Sequence, residues 1–291
     1  NHLILTEAPG HGGWLREVAA EVGLAGKDVL DNGLINYDEG ASAADMDNDG
    51  DQDILVTSLY GRNLLYRQMG RFRFREESDR AGIDDCQARS CSAVWADVNQ
   101  DGALDLYISN EDSSNRLYLN NGAGIFRDVT DAAGLRIARS GGGSAFADID
   151  NDNDLDLFVP RYGLANLLYL HEGVVGPDRI PHFREVGRTA GVAGSDTLAR
   201  STCGVFADVD NDGDLDLFVA NLMTSSRLYV NDGHGGFADE TEPRGLSLTD
   251  LCQTALFLDA DNDGDSDLLA GVRGVNRYYQ NQGNGDFQDW T

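Results

Sequence analysis

The chain has 291 residues and a formal net charge of −28, from 22 basic and 50 acidic side chains. So strong a negative charge repels nucleic acid and acidic membranes, and 41% hydrophobic residues exclude a disordered acidic tail. No apolar run approaches the roughly 18 residues that a membrane-spanning helix needs. The sequence therefore predicts a globular protein with no nucleic-acid partner and no membrane insertion.

The chain begins with a partial repeat. Residues 1–5 (NHLIL) and 15–18 (LREV) match two strands that recur later, but no acidic loop precedes them. We expect them to form a half repeat, with weak helical propensity over 16–22. Three explanations stay open: a fragment of a longer chain, completion of the half blade by a second molecule, or a ring with an exposed edge, which is the least favoured.

An aspartate-rich nonapeptide then occurs five times. Its first residues, at 45, 97, 148, 208 and 259, are 52, 51, 60 and 51 residues apart. This period fits a four-stranded unit and is typical of propeller blades rather than helical solenoids. The copies, named loops 1 to 5, are 45–53 (DMDNDGDQD), 97–105 (DVNQDGALD), 148–156 (DIDNDNDLD), 208–216 (DVDNDGDLD) and 259–267 (DADNDGDSD).

The same strand signals surround each loop. A short apolar segment precedes it, as in 144–147 (SAFA), and an Asn-Arg-Leu-Tyr type segment follows, as in 115–118. A Gly-rich turn, such as Asn121-Gly122, then leads to an aromatic-centred strand, because tight hairpin turns need positive φ. The order predicts an all-β propeller of four-stranded blades in one domain, 1–291: a half blade and connection over 1–40, then repeats over 41–90, 91–140, 141–200, 201–250 and 251–291.

The loops themselves predict cation binding. Oxygen-bearing side chains occupy positions 1, 3, 5 and 9, and glycine usually occupies position 6, which suits a hard cation such as Ca²⁺. The five loops contain 23 of the 50 acidic residues, so much of the acidity is local to these loops and is interpreted as a set of cation ligands. We therefore expect about five bound Ca²⁺ with a structural role, because no ligand position is left open for a substrate.

The pattern AD(V/I)DNDGDLDLFV…NRLYLNNG…F…D(V/E)T…GL resembles the FG-GAP/VCBS repeat family. That family includes the propellers of integrin α-subunits, proteins of the cartilage acidic protein type and many secreted bacterial proteins. The resemblance covers essentially the whole chain. It implies one Ca²⁺ between the first two strands of each blade, and ligand recognition mostly on loops of the opposite face.

By the same resemblance, the ligands are the side chains at positions 1, 3, 5 and 9 and the backbone carbonyl at position 7. In chain order these are Asp45, Asp47, Asp49, Asp53 and the carbonyl of Asp51; Asp97, Asn99, Asp101, Asp105 and the carbonyl of Ala103; Asp148, Asp150, Asp152, Asp156 and the carbonyl of Asp154; Asp208, Asp210, Asp212, Asp216 and the carbonyl of Asp214; and Asp259, Asp261, Asp263, Asp267 and the carbonyl of Asp265.

Two loops depart from the pattern. Asn99 carries no charge, so loop 2 is predicted to bind Ca²⁺ most weakly. Asn153 replaces glycine at position 6 of loop 3, and asparagine tolerates the left-handed conformation. Open loops of this kind have dissociation constants of roughly 10⁻⁴ to 10⁻³ M, which predicts empty sites in a cytosol and filled sites outside the cell.

The four cysteines allow three pairings. Cys86 and Cys91 share one inter-blade connection, and Cys203 and Cys252 precede the inner strands of consecutive blades. We expect Cys86–Cys91 and Cys203–Cys252 disulfides, with free buried thiols as the alternative.

No catalytic constellation is recognisable, so the protein is not expected to be an enzyme. The five histidines, His2, His11, His171, His182 and His234, are predicted to be surface residues of turns and strand edges. Tyr60, Tyr162 and Trp290 could line a sugar site but are better explained by blade packing. Asp112, Ser113, Ser114, Arg161 and Arg273 lie, with Tyr162, on loops expected to face the ligand side.

The predicted function is an extracellular or cell-surface, calcium-stabilised propeller that acts as a binding or adhesion module for protein or glycan. One alternative is a structural subunit that self-associates through the half blade. The other is a carbohydrate-active propeller, either a lectin or a polysaccharide lyase.

Overall fold

The computed structural model describes residues 4–6, 15–17, 19–24, 38–83, 88–137, 139–140, 142–194 and 199–291. Within these residues, five four-stranded antiparallel sheets follow one another along the chain, and inner strands of successive sheets contact each other. The predicted all-β propeller of four-stranded blades is confirmed, with five blades.

Strands β1 (Ile4–Thr6) and β2 (Leu15–Glu17) form a separate antiparallel pair. A single turn of helix, α1 (Ala19–Val22), follows and is shorter than the segment with helical propensity. The pair has the order expected of two outer strands, but its place in a blade stays a prediction.

Each blade uses four consecutive strands, ordered from inner to outer. Blade 1 contains β3 (Asp38–Ala44), β4 (Asp53–Ser58), β5 (Leu64–Gln68) and β6 (Phe74–Glu76); blade 2 contains β7 (Ser90–Ala96), β8 (Asp105–Asn110), β9 (Arg116–Asn120) and β10 (Phe126–Asp128); blade 3 contains β11 (Ala145–Ala147), β12 (Asp156–Val159), β13 (Leu167–Val175) and β14 (Ile180–Glu185); blade 4 contains β15 (Ser201–Ala207), β16 (Asp216–Asn221), β17 (Arg227–Asn231) and β18 (Phe237–Asp239); blade 5 contains β19 (Cys252–Leu258), β20 (Asp267–Val272), β21 (Arg277–Asn281) and β22 (Phe287–Asp289). The one-turn helix α2 (Ser78–Ala81) lies between β6 and β7.

The hydrophobic core lies between the blades. Second strands are buried on both faces, and β8 and β16 are buried at every residue. Phe218 and Leu228 of blade 4, for example, belong to the same cluster as Leu268 and Tyr279 of blade 5. Each sheet therefore depends on its neighbours for burial of its apolar side chains, which fixes the loops of successive blades next to one another.

Aromatic pairs connect second strands to the inner strands of the next blade. Tyr107 meets Phe146 edge-on with ring centroids 5.9 Å apart, and Phe218 meets Phe257 in the same way at 6.4 Å. The inner strand of blade 4 must also leave space for Phe158, because a Cβ on Gly204 would lie 2.3 Å from the Phe158 ring. The sequence therefore needs a residue without a side chain at this position of the inner strand.

Blade 3 carries the longest hairpin. Strands β13 and β14 continue to Val175 and Ile180, whereas the corresponding strands of other blades have five and three residues. The wider spacing between loops 3 and 4 arises mainly here. The extension reaches back to blade 2, where Arg127 and Asp178 form an ion pair of 3.0 Å.

The predicted Cys203–Cys252 disulfide is wrong, because both residues are free thiols. Cys203 precedes its loop by five residues and Cys252 by seven, so they lie at different heights on the neighbouring strands β15 and β19. Two strand residues span about 6.8 Å, and this offset together with the separation of two blades exceeds the reach of a disulfide. Burial raises the pKa of Cys203 to about 12 and that of Cys252 to about 11.

The Cys86–Cys91 pairing stays a prediction, because Cys86 lies outside the described residues. Neither helix in the described part of the chain is long and apolar enough to span a membrane.

Candidate metal sites

Each acidic loop joins the first strand of a blade to the second, as predicted. Two left-handed residues shape it, at positions 4 and 6. Asn211 at position 4 has φ 62° and Gly213 at position 6 has φ 96°; in loop 3, Asn153 takes the glycine place with φ 71°. The asparagine therefore adopts the backbone conformation that the sequence led us to expect.

The position-1 aspartate accepts hydrogen bonds from the backbone N–H groups at positions 5 and 6 of each loop. In loop 4, Asp208 Oδ1 accepts the N–H of Asp212 at 3.2 Å and Oδ2 accepts the N–H of Gly213 at 3.0 Å. The same pair of bonds recurs in the other four loops. Both carboxylate oxygens are thereby oriented toward the interior of the loop while lone pairs remain for a cation.

The position-9 aspartate is buried at the base of each loop, with 0–2% of the residue exposed. In loop 4, Asp216 Oδ2 accepts the N–H of Val209, and Oδ1 accepts the N–H of Asn231, the last residue of the third strand. Burial raises the pKa of Asp53 and Asp216 to about 6 and that of Asp105 and Asp156 to about 7. A nearby cation would relieve this cost of ionisation.

The position-3 carboxylate gives the strongest indication of cation binding. Asp47 Oδ1, Asp150 Oδ1 and Asp210 Oδ1 are buried, and no hydrogen-bond donor in the described residues reaches them. The Asp47 side chain is only 3% exposed. Buried carboxylate oxygens without donors are costly, and a bound cation would offset this cost, so the chemistry of the position suits a cation ligand.

Four loops bring three carboxylates together, with one oxygen from each lying within 4.8 Å of the others. The groups are Asp45, Asp47 and Asp53; Asp148, Asp150 and Asp152; Asp208, Asp210 and Asp216; and Asp259, Asp261 and Asp263. Loop 2 has no such group, because Asn99 replaces the position-3 carboxylate. The ligand assignments, the position-7 carbonyls and the weakness of loop 2 stay predictions.

Basic side chains also reach position 3, which sequence patterns did not indicate. Arg67 pairs with Asp47 and lies 3.3 Å from Asp49 in loop 1, and Arg244 lies 2.8 Å from Asp210 in loop 4. In loop 2, Arg179 of the long hairpin donates from Nε to the Asn99 carbonyl at 2.9 Å. Arg67 follows the tyrosine of the third strand in blade 1, and the equivalent residues of three other blades are Leu119, Leu170 and Val230. Comparison of the repeats could therefore have identified Arg67 as unusual.

Asparagines at the ends of third strands join neighbouring blades. Asn120 Nδ2 donates to the Met46 carbonyl at 2.7 Å, and Asn231 Nδ2 donates to the Ile149 carbonyl at 2.9 Å. In both cases the acceptor is position 2 of the preceding blade's loop. Asn281 repeats this contact to Val209 at 2.7 Å.

The expectation that all five histidines are surface residues is wrong for His171. It occupies the third-strand asparagine position in blade 3, and its side chain is 1% exposed. Nδ1 lies 2.9 Å from Asp154 Oδ2 at position 7 of loop 3. The Asn-Arg-Leu-Tyr alignment could have located it in the core. His182 and His234 are exposed as predicted, whereas His2 and His11 lie outside the described residues.

The opposite face carries two partly exposed arginine–tyrosine stacks. The guanidinium carbon of Arg89 lies 4.9 Å from the centre of the Tyr60 ring, and that of Arg200 lies 4.7 Å from the Tyr162 ring. Trp290 is 61% exposed. The described residues thus place aromatic and cationic groups on this face.

A family model for the FG-GAP-like repeat matches residues 45–108, 97–159 and 208–270. Cartilage acidic protein 1 of Mus musculus is 29% identical over 243 residues, which is 77% of this chain and 34% of that protein. The Homo sapiens protein is 28% identical over 236 residues, which is 77% of this chain and 33% of that protein. This chain thus spans about a third of the length of the curated relatives it matches.

Two solved structures share the fold. One is an Agrocybe aegerita lectin that recognises non-reducing terminal N-acetylglucosamine, with a TM-score of 0.52, 21% identity, and coverage of 86% of this chain and 65% of that chain. The other is a Bacillus licheniformis rhamnogalacturonan lyase, with a TM-score of 0.50, 13% identity, and coverage of 89% and 52%. At these identities they show the fold alone. Since the family model matches more than half of its residues, the chain belongs to the FG-GAP-like repeat family.

Proposed function

We propose that this protein is an extracellular, calcium-stabilised propeller that serves as a binding module. The observation that carries the calcium assignment is the buried position-3 oxygen without a donor, found at Asp47, Asp150 and Asp210. It recurs at the same place in three separate loops. A structural accident at one surface loop would not repeat in this way.

The donor set favours Ca²⁺ over other metals. All expected ligands are carboxylate, amide or carbonyl oxygens, which suit hard cations and disfavour zinc. Ca²⁺ also tolerates the irregular geometry of a loop better than Mg²⁺, which demands a near-ideal octahedron. When bound, the ion would offset repulsion among the carboxylates and connect the first two strands of its blade.

An extracellular location follows from the expected affinity. Loops of this kind bind Ca²⁺ with dissociation constants of roughly 10⁻⁴ to 10⁻³ M, so only a calcium-rich environment fills them. Similarity to proteins named cartilage acidic protein 1 supports the same location.

The proposed binding surface is the face opposite the loops, and the proposed partner is an extracellular protein or glycan. The arginine–tyrosine stacks of Tyr60 and Tyr162 offer planar apolar surface beside positive charge. Aromatic rings with adjacent polar groups are common where proteins recognise other molecules. A role in sugar binding or cleavage is the carbohydrate-active alternative.

Thermal unfolding in millimolar Ca²⁺ and in chelator tests the calcium assignment. We expect a higher Tm with Ca²⁺, because a ligand that binds only the folded state stabilises it. Equal concentrations of Mg²⁺ should give a smaller increase. An unchanged Tm on chelation would overturn the calcium assignment.

Self-association is a second candidate function, supported by the face of blade 5 that points away from blade 4. Leu256 and Leu258 are 46% and 37% exposed. The residues at the same positions in blade 4, Val205 and Ala207, pack against blade 5. Concentration-dependent light scattering would test this candidate. A Leu256→Asp variant should stay monomeric at concentrations where the parent chain associates, and a parent that is monomeric throughout would exclude it.

A further inference from the structure

Carboxamide side chains connect the acidic loops of successive blades. Asn151 Nδ2 at position 4 of loop 3 donates to Asp214 Oδ1 at position 7 of loop 4, at 2.7 Å. Asn211 of loop 4 makes the same bond to Asp265 of loop 5, also at 2.7 Å. The pattern extends to blade 2, where Gln100 Nε2 donates to Asp154 Oδ1 at 2.6 Å.

Each of these bonds continues into the next candidate metal site. The N–H of Asp214 donates to Asp212 Oδ1, the position-5 carboxylate, at 2.9 Å. The N–H of Asp265 donates in the same way to Asp263 Oδ1 at 3.0 Å. A continuous path therefore leads from position 4 of one loop, through residue 7 of the next, to an expected cation ligand.

Position 4 is also placed to sense its own loop. Asn211 lies between the expected ligands Asp210 and Asp212, and its left-handed backbone at φ 62° points the side chain toward blade 5. A cation that fixes positions 3 and 5 would restrict position 4 between them. The amide would then hold Asp265, whose backbone carbonyl is itself an expected ligand of loop 5.

We infer that loops 2 to 5 bind Ca²⁺ cooperatively through these carboxamide contacts and that loop 1 does not share this coupling. This inference rests on the proposed calcium binding. An ion in one loop orders position 7 of the next loop, so the second ion meets a smaller ordering cost. The coupling is reciprocal, because it is a difference in free energy between the two sites.

Loop 1 provides an internal contrast. Its position-4 residue, Asn48, has the same left-handed backbone, with φ 57°. The residue at position 7 of loop 2 is Ala103, which has no carboxylate to accept an amide hydrogen bond. The position-4 to position-7 contact between loops 1 and 2 is therefore missing although the donor is present, and the third-strand asparagine, Asn120, joins these two loops instead.

Calcium titration followed by NMR tests the inference loop by loop. The amides of Gly50, Gly102, Gly213 and Gly264 each donate to the position-1 aspartate of their own loop, so each reports one site. The test variant is Asn211→Gly, which removes the amide without straining a left-handed residue. The matched control is Asn48→Gly, which makes the same change where no acceptor exists.

We expect Asn211→Gly to raise the calcium midpoint at Gly264 by about five-fold or more, the lower range of ordinary allosteric coupling. The Gly50 midpoint should not move in this variant, and Asn48→Gly should leave the Gly102 midpoint unchanged. In an Asp265→Ala background, Asn211→Gly should have no further effect at Gly264, because its acceptor is already gone.

The failures are distinguishable. If no reporter amide responds to Ca²⁺, the proposed function is overturned and the inference with it. If every reporter responds but Asn211→Gly leaves the Gly264 midpoint unchanged, calcium binding stands and the coupling is overturned. A shift of equal size at Gly102 in Asn48→Gly would also overturn it, because the effect would then come from loop flexibility alone.

Discussion

In loops 2 and 4 the position-1 aspartates, Asp97 and Asp208, accept the same two backbone N–H groups at 2.9–3.2 Å. The position-9 aspartates, Asp105 and Asp216, are equally buried at 1%. The loops differ at position 3, which is Asn99 in loop 2 and Asp210 in loop 4. They also differ at position 7, which is Ala103 in loop 2 and Asp214 in loop 4. The difference teaches that positions 1 and 9 shape the loop, whereas position 3 sets its charge and position 7 sets its connection to the preceding loop.

Removing the position-9 carboxylate should have the largest effect. Asp216→Ala leaves two buried N–H groups without an acceptor, at about 1–3 kcal/mol each, and Asp105→Ala does the same in loop 2. In calcium-free buffer the two variants should lose similar stability in urea unfolding. In millimolar Ca²⁺, Asp216→Ala should lose more, because loop 4 is the better site. Equal losses under both conditions would contradict the contrast between the loops.

The pH dependence of calcium-free stability should separate the same two residues. The folded pKa of Asp105 is raised to about 7 and that of Asp216 to about 6, mainly by burial. A raised carboxyl pKa contributes stability that is fully present below the unfolded pKa of about 3.9 and is lost as pH rises through the folded pKa. Stability should therefore fall between about pH 4 and 7, by at most about 1.4 kcal/mol per pH unit for each group.

Asparagine variants provide the control for this slope. Asp105→Asn should reduce the fall in stability that extends to about pH 7, to which Asp156 also contributes, and Asp216→Asn should reduce the fall that ends near pH 6, to which Asp53 also contributes. Urea unfolding from pH 4.5 to 8 would measure both. Calcium-free stability that rises with pH over this range would contradict the assignment of buried, destabilised carboxylates.

Introducing a carboxylate at position 3 of loop 2 should have a smaller effect on stability, and the sign of this effect should depend on calcium. Asn99→Asp adds a negative charge beside Asp97 and Asp101, so without Ca²⁺ it should lower the free energy of unfolding by about 1 kcal/mol. With Ca²⁺ it should raise the Tm, because an added carboxylate increases affinity. Thermal unfolding under both conditions checks the reversal, and a Tm that falls in both would contradict a cation site in loop 2.

The smallest effect is expected on the opposite face. Arg200→Ala removes a partly exposed stack on Tyr162, which is worth about 0.5–1 kcal/mol. Because this contact lies away from the loops, the loss in urea unfolding should be the same with and without Ca²⁺. A loss that depends on calcium would show that the two faces are coupled.

Much of the fold could be predicted because the repeat places every strand and loop relative to the one before it. Alternation and turn residues located the strands, and the spacing of Asp208, Asp210, Asp212 and Asp216 indicated the site. Contacts between blades escaped prediction because they join residues far apart in sequence. The Arg127–Asp178 ion pair and the mismatch of Cys203 with Cys252 both depend on the register between neighbouring sheets.

Anomalous X-ray diffraction from crystals grown in millimolar Ca²⁺ tests the central claim most directly, because it locates each ion among its ligands. The account predicts one peak in each of the five loops, between the oxygens at positions 1, 3, 5 and 9, with the lowest occupancy in loop 2. Crystals that show no anomalous peak in any of the loops, at calcium concentrations above the expected dissociation constants, would contradict it.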